Sequence, residues 1–171
     1  DYRRNPEELA KIRATIDVVK NDPDTRIVEL NIKGYASPEG PYELNEQLAK
    51  GRTETLARYV QNLYTLPSDL MKTSWDAEDW AGLIKYVRGS SIENKDAILA
   101  VITNETLAPD AREWKLKSTY PDQYRFLLSQ VYPSLRHSDY SVRYTVRTYT
   151  EVSEIIEVMH TAPQKLSLSE L

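Results

Sequence analysis

The sequence predicts an α/β (α+β) fold, a two-layer sandwich in which helices pack on a small mixed β-sheet. Two segments, 27–33 and 140–147, alternate between apolar and polar residues as strands do. Segments with apolar residues three and four positions apart, typical of helices, lie between and around them. Strands separated by helices favour a layered arrangement. With 171 residues, 40% of them apolar and 28% charged, the chain can form one packed domain.

The first predicted elements are a helix and a strand. Residues 5–8 (Asn-Pro-Glu-Glu) provide a side-chain cap, a proline in the first turn and acids near the positive end of the helix dipole. One apolar stripe follows, formed by Leu9, Ile12, Ile16 and Val19. Residues 21–24 (Asn-Asp-Pro-Asp) end the helix. The strand over 27–33 is expected to bury its even-numbered face.

A glycine- and proline-rich loop over 34–41 leads into a long helix from about Tyr42 to Tyr64. The apolar residues of this helix are Leu44, Leu48, Leu56, Tyr59, Val60 and Leu63. Pro67 lies just beyond its end, where a residue that cannot continue a helix is common. Residues 70–75 are predicted to form a second strand.

The stretch from 76 to about 135 is predicted to be mostly helical. Trp80, Leu83, Ile84 and Val87 define one amphipathic helix, and two more helices cover 110–116 and 122–131. Ser90 and Glu93 match a capping box that would open another.

The clearest strand is expected over 140–147, with one face buried and the other wet. A helix over 151–160 is expected next, and residues 165–171 resemble the start of a further helix.

Composition excludes several classes of function. Cysteine is absent, which excludes disulfides, thiolate zinc sites and cysteine nucleophiles. A net charge of −4 argues against a nucleic-acid partner, because no basic excess exists to replace phosphate counterions. No apolar run approaches the roughly 18 residues that a membrane-spanning helix needs.

The sequence shows no enzyme, metal or cofactor signature. His137 and His160 lie in different elements without an acid or a nucleophile at a motif spacing, so surface histidines are expected. The acids within 76–79 lack the pattern of a calcium loop and are expected to face a helix N-terminus. Gly34 and Gly40 do not form a nucleotide-binding pattern. A hydrolase using Glu78 and Asp79 is disfavoured, because adjacent acids cannot flank a glycosidic bond.

One junction stands out. A strand ends at Lys33, a loop follows, and the next helix presents Asn45, Leu48 and Arg52 in its first turns. Such a junction directs backbone N–H groups and the positive end of the helix dipole at the loop, which suits a carboxylate. Arg52 can bind a carboxylate through two hydrogen bonds. Spacing alone nevertheless favours a structural or solvated arginine.

The residues around this junction carry a family resemblance. Residues 34–40 read GYASPEG, and residues 45–60 read NEQLAKGRTETLARYV. They resemble the OmpA-like C-terminal (peptidoglycan-associating) domain, whose pattern is G-[HY]-T-D-x-x-G followed by N-x-x-L-S-x-x-R-A-x-x-V-x-x-Y-L. The spacing from Gly34 to Arg52 matches without a gap.

The resemblance implies a non-enzymatic, cofactor-free module on the periplasmic side of a Gram-negative outer membrane. Members anchor outer-membrane proteins or lipoproteins to peptidoglycan by binding diaminopimelate in the stem peptide. By position, Arg52 corresponds to the family arginine, Asn45 to its asparagine and Leu48 to its packing leucine. Gly34 and Gly40 correspond to its two glycines.

The family aspartate falls on Ser37, which cannot neutralise an ammonium group. The missing charge-assisted contact is worth about 1.5–3 kcal/mol, or roughly one to two decades of affinity. Glu39 is the candidate replacement in the same loop. Altered specificity, weakened binding and a retired site all stay open.

We expect one domain over 1–160, with a helical insertion at about 76–135, and a linker and further helical region over 161–171. The family's first strand is expected upstream of residue 1, unless another segment fills its edge. The alternative function is a protein–protein scaffold in an envelope assembly, with a vestigial peptidoglycan site and contacts through the inserted helices. A scaffold would pair Arg52 internally, for example with Glu39, and expose an apolar patch on those helices.

Overall fold

The computed structural model describes residues 5–149 and 151–166, apart from the side chains of Asn5 and Glu8. The predicted Asn5 cap therefore lies outside the described residues. The helices are α1 Asn5–Lys20, α2 Tyr42–Tyr64, α3 Trp80–Gly89, α4 Lys95–Ile102, α5 Pro109–Thr119, α6 Pro121–Gln130, α7 Tyr132–Leu135 and α8 Val152–Thr161. The strands are β1 Thr25–Tyr35, β2 Met71–Asp76 and β3 Ser138–Val146. Short 3-10 helices cover Ser68–Leu70 and Pro163–Lys165.

The three strands form a mixed sheet in the order β2-β1-β3. The central strand β1 pairs in parallel with β2, where Gly34 lies opposite Trp75. It pairs antiparallel with β3, where Gly34 lies opposite Ser138. A register shift between Ile27 and Glu29 marks an irregularity in the second pairing. The predicted layered fold is confirmed, and so are its three strands.

One hydrophobic core lies between the sheet and the helices α1 and α2. Ile12 and Ile16 of α1 meet Leu30 and Ile32 of β1, together with Val60 of α2, and all five are fully buried. These burials confirm the stripe predicted for the first helix and the even-numbered buried face of β1. Burying one such aliphatic side chain contributes about 1.5–3 kcal/mol.

Helix α2 meets Gly34 of β1 through small side chains, while Leu56 packs against the core and its other leucines are exposed. Its buried face consists of Asn45, Ala49, Thr53, Ala57, Val60 and Tyr64. Leu48 is 51% exposed, so its predicted packing role is wrong. The reason is the close approach of α2 to Gly34 of β1. A Cβ at Gly34 would lie 2.1 Å from Thr53 Oγ1 and 2.9 Å from the Ala49 carbonyl oxygen, so positions 49 and 53 face the strand. Leu48 falls beside this row of buried positions rather than in it.

Helices α3 to α7, which lie between β2 and β3 in the sequence, build a second core. Its fully buried residues include Leu83, Ile98, Leu116, Leu127 and Tyr132. The helices predicted over 80–87, 110–116 and 122–131 are confirmed. This region therefore has a hydrophobic core of its own, distinct from the core under the sheet.

The predicted capping box is wrong. Helix α4 begins after Asn94, whose φ of 59° places it in the left-handed region, and Asn94 makes no side-chain cap. Ser90 instead ends helix α3, and its hydroxyl donates to the Val87 carbonyl over 2.9 Å. The two competing roles of serine, cap and helix end, cannot be separated by spacing alone.

Strand β3 and helix α8 complete the described chain. Tyr140 and Val142 pack against the first core, but Tyr144 and Val146 are about half exposed. The predicted buried face of β3 therefore holds only for its first half. The helix predicted over 151–160 is confirmed as α8. Of the further helix predicted over 165–171, Lys165 ends a 3-10 turn, and residues 167–171 lie outside the described residues.

Candidate functional site

The segment 35–40 leaves the carboxyl end of β1 in the middle of the sheet and leads toward helix α2. Ala36, Ser37 and Pro38 are buried in it. Gly40 has a φ of +79°, a backbone conformation that residues other than glycine rarely adopt. In open sheets, ligands bind beyond the carboxyl ends of parallel strands, and both β1 and β2 end here. We call residues 35–40 the motif segment.

All four predicted site residues belong to the motif segment or contact it. Ser37 and Glu39 lie within it. Asn45 donates from Nδ2 to the Gly40 carbonyl over 3.3 Å. Arg52 donates from Nη1 to the Tyr35 carbonyl. The structure thus brings the four residues together at one end of the sheet.

Arg136, a residue that the sequence did not single out, follows helix α7 and faces the motif segment. Its Nε donates to Ser37 Oγ over 2.9 Å. Its Nη2 donates to Glu39 Oε2 and forms an ion pair whose side chains are 34% and 41% exposed. Among the described residues Glu39 therefore pairs with Arg136, whereas the scaffold hypothesis named Arg52 as its partner.

The buried carboxylate of Glu78 accepts a hydrogen bond from Asn45. Glu78 accepts from Asn45 Nδ2 over 2.8 Å and from Trp80 Nε1 over 2.7 Å. Burial raises the pKa of Glu78, and the two hydrogen bonds only partly oppose it. Since Asn45 bonds to both Gly40 and Glu78, it links the motif segment to the residues just before α3.

His137 is not the surface histidine that the sequence predicts. It is half buried, and its ring stacks on Tyr35 with centroids 4.4 Å apart. Nε2 lies 2.9 Å from Asp79 Oδ2, and Nδ1 lies 3.0 Å from Asp139 Oδ1. The hydrogen bond to Asp79 raises the pKa of His137, although desolvation opposes it. Asp139 was visible two residues away, but Asp79 is distant in sequence and no motif links it to a histidine.

The predicted role of the acids before α3 is confirmed at Asp79. Its Oδ1 accepts from the Gly82 N–H over 2.8 Å and caps the helix. Burial would raise the pKa of Asp79, but the hydrogen bonds with His137 and Gly82 outweigh burial and lower it. Asp76 pairs with Lys33 over 2.8 Å. Within residues 5–149 and 151–166, no group of three or more acidic or histidine side chains is arranged to hold a metal ion.

A cavity of about 580 Å³ opens beside the motif segment. Glu39 and Gly40 form one side, and Glu113 and Lys117 of α5 and Tyr124 of α6 form another. Sequence reasoning missed this second side of the cavity, because it depends on how helices α5 and α6 pack beside the motif segment.

Comparison with family models, with curated proteins and with solved structures finds no match for this chain. The resemblance therefore rests on the motif residues themselves. None of the helices that the structure describes is long and apolar enough to cross a bilayer.

Proposed function

We propose that this chain is a non-enzymatic cell-envelope module that binds diaminopimelate in the peptidoglycan stem peptide. It would anchor an outer-membrane protein or lipoprotein from the periplasmic side. One observation carries the proposal: Ser37, Glu39, Asn45 and Arg52 converge on the motif segment. Asn45 and Arg52 match the OmpA-like pattern, Ser37 stands where that pattern has its aspartate, and Glu39 is the candidate replacement carboxylate.

The charges around the motif segment suit a zwitterion. The free end of diaminopimelate carries an ammonium and a carboxylate, and the motif segment contains the Glu39 carboxylate and is contacted at its start by the Arg52 guanidinium. The Glu39–Arg136 pair is partly exposed, and such pairs are worth about 0.2–1 kcal/mol. An incoming ammonium can therefore replace Arg136 at Glu39 at small cost, in place of the aspartate missing at Ser37.

Calorimetric titration with a diaminopimelate-containing stem peptide tests the proposal. We expect micromolar-to-millimolar binding that Arg52→Ala abolishes and Glu39→Gln weakens. Arg58→Ala, an exposed arginine on the same helix, is the matched control and leaves binding unchanged. Absence of heat and of competition at millimolar ligand would overturn the proposal.

A protein–protein scaffold is the second candidate function. Trp114 on α5 is 69% exposed and Phe126 on α6 is 45% exposed, so the inserted helices present large apolar side chains to solvent. The pairing of Glu39 with Arg136 also fits a site that no longer binds ligand. A photo-crosslinker at position 114 tests this candidate in intact envelopes. A discrete adduct that Phe126→Ser removes would support it, and random labelling would contradict it.

A further inference from the structure

The cavity beside the motif segment is held open by fixed contacts between that segment and helix α5. Glu113 Oε1 accepts from the Gly40 N–H over 3.2 Å and also from the Tyr124 hydroxyl. Asp110 Oδ1 accepts from the Tyr42 N–H over 2.9 Å. These bonds tie the beginning of α5 to the beginning of α2, so the two sides of the cavity keep a defined separation.

One cation on the cavity wall has no carboxylate partner among the described residues. Lys117 Nζ lies 5.8 Å from the centroid of the Tyr124 ring, and in the described ranges it forms no salt bridge. The other charges at the cavity are already engaged, since Arg125 pairs with Asp122 and Glu39 pairs with Arg136. A ligand carboxylate is the natural partner for Lys117.

The charge pattern restricts the kind of ligand. A purely anionic ligand would be repelled by Glu39 and Glu113, which line the same cavity. A peptide that carries an ammonium as well as carboxylates matches both signs. The Tyr124 ring, Pro121 and Leu128 add an apolar surface for the body of the peptide.

We propose that Lys117 binds the C-terminal carboxylate of the stem peptide, so that inserted helix α5 forms the second wall of the peptide site. This inference rests on the proposed function and adds a specificity-determining residue to it. Lys117 would distinguish a stem that ends in a free D-alanine carboxylate from one in which that carboxylate is blocked.

Two probes test the inference by calorimetry on the whole chain: a diaminopimelate-containing tetrapeptide stem ending in D-alanine, and the same peptide amidated at its C-terminus. Lys117→Ala should weaken binding of the free acid about two- to fivefold, as expected for an ion pair formed by an exposed side chain. Amidation should weaken binding to the wild type by the same factor, and Lys117→Ala should not weaken the amide further. Lys115→Ala, an exposed lysine on the same helix, is the matched control and changes neither.

The outcomes separate this inference from the proposed function. If Arg52→Ala abolishes binding but Lys117→Ala leaves binding of the free-acid peptide unchanged, the assignment of Lys117 to the peptide site is wrong and the proposed function stands. Equal weakening of acid and amide by Lys117→Ala would also overturn the inference, since the carboxylate would then not be its partner. If neither peptide binds the wild type, both proposals fall.

Discussion

His137 Nε2 lies 2.9 Å from Asp79 Oδ2, and this contact joins the two ends of the helical region between β2 and β3. Both ends also bind the backbone of the motif segment. The Asp79 N–H donates to the Ala36 carbonyl over 2.8 Å, and the Tyr35 N–H donates to the His137 carbonyl over 2.9 Å. The two ends of the region that contains helices α3 to α7 therefore meet each other and the motif segment.

The His137–Asp79 contact predicts a pH-dependent stability. The folded-state pKa of His137 is raised above its ordinary value of 6.5, first by Asp79 and then, against desolvation, by Asp139. Its contribution to the free energy of unfolding is therefore fully present below pH 6.5 and is lost as pH rises through the folded pKa. The pKa of Asp79 is lowered, so Asp79 stays ionised across this window. Denaturant unfolding between about pH 6 and 9 measures the effect.

His137→Gln should flatten the fall in stability over that pH range. His160→Gln, at an exposed position of α8, is the matched control variant and should keep the wild-type slope. An unchanged slope in His137→Gln would contradict the assignment of the pH dependence to this contact.

Two glycine substitutions should have opposite effects. Gly34→Ala should destabilise by about 1–3 kcal/mol, because its Cβ would meet Thr53 Oγ1 and the Ala49 carbonyl at distances that force α2 and β1 apart. Gly51→Ala lies within α2, where an added Cβ meets nothing within 4 Å. It should stabilise by about 0.5–1 kcal/mol through helix propensity. Equal effects in thermal unfolding would refute the close helix–strand approach.

Local pattern predicted most of the fold but not the way its parts meet. Strands such as 27–33 were readable because one face must be buried, which imposes a period of two. The buried face of α2 could not be predicted in this way, because the close approach to Gly34 favours small residues at the contact and Leu48 lies on the exposed side of the helix. In the site, Asn45 and Arg52 follow from a local motif, whereas the contacts of Arg136 with Ser37 and Glu39 span nearly a hundred residues. No sequence period encodes such contacts.

Truncating two leucines should destabilise the protein to very different extents, because one lies on the exposed face of α2 and the other in the core of helices α3 to α7. Leu127→Ala removes a fully buried side chain and should cost about 2–5 kcal/mol. Leu48→Ala, at a position 51% exposed, should change stability by about 0.5 kcal/mol or less. Chemical denaturation of both variants checks this. A large loss for Leu48→Ala would reinstate it as a packing residue.

Arg136→Ala should affect binding more clearly than stability. The ion pair with Glu39 is partly exposed, so its loss should lower the free energy of unfolding by about 1 kcal/mol or less. If Arg136 competes with the ligand ammonium for Glu39, the variant should bind the stem peptide up to about fivefold more tightly. Weaker binding in the calorimeter would make Arg136 part of the site rather than its competitor.

The most direct test of the central claim is an NMR titration of the isotope-labelled chain with the diaminopimelate-containing stem peptide. The claim is that the motif segment and Arg52 form the ligand site. Backbone amide shifts should therefore concentrate in residues 35–40 and around Arg52, and Arg52→Ala should abolish them. Shifts confined to α8, or no shifts at millimolar peptide, would contradict the claim and leave the scaffold function as the better description.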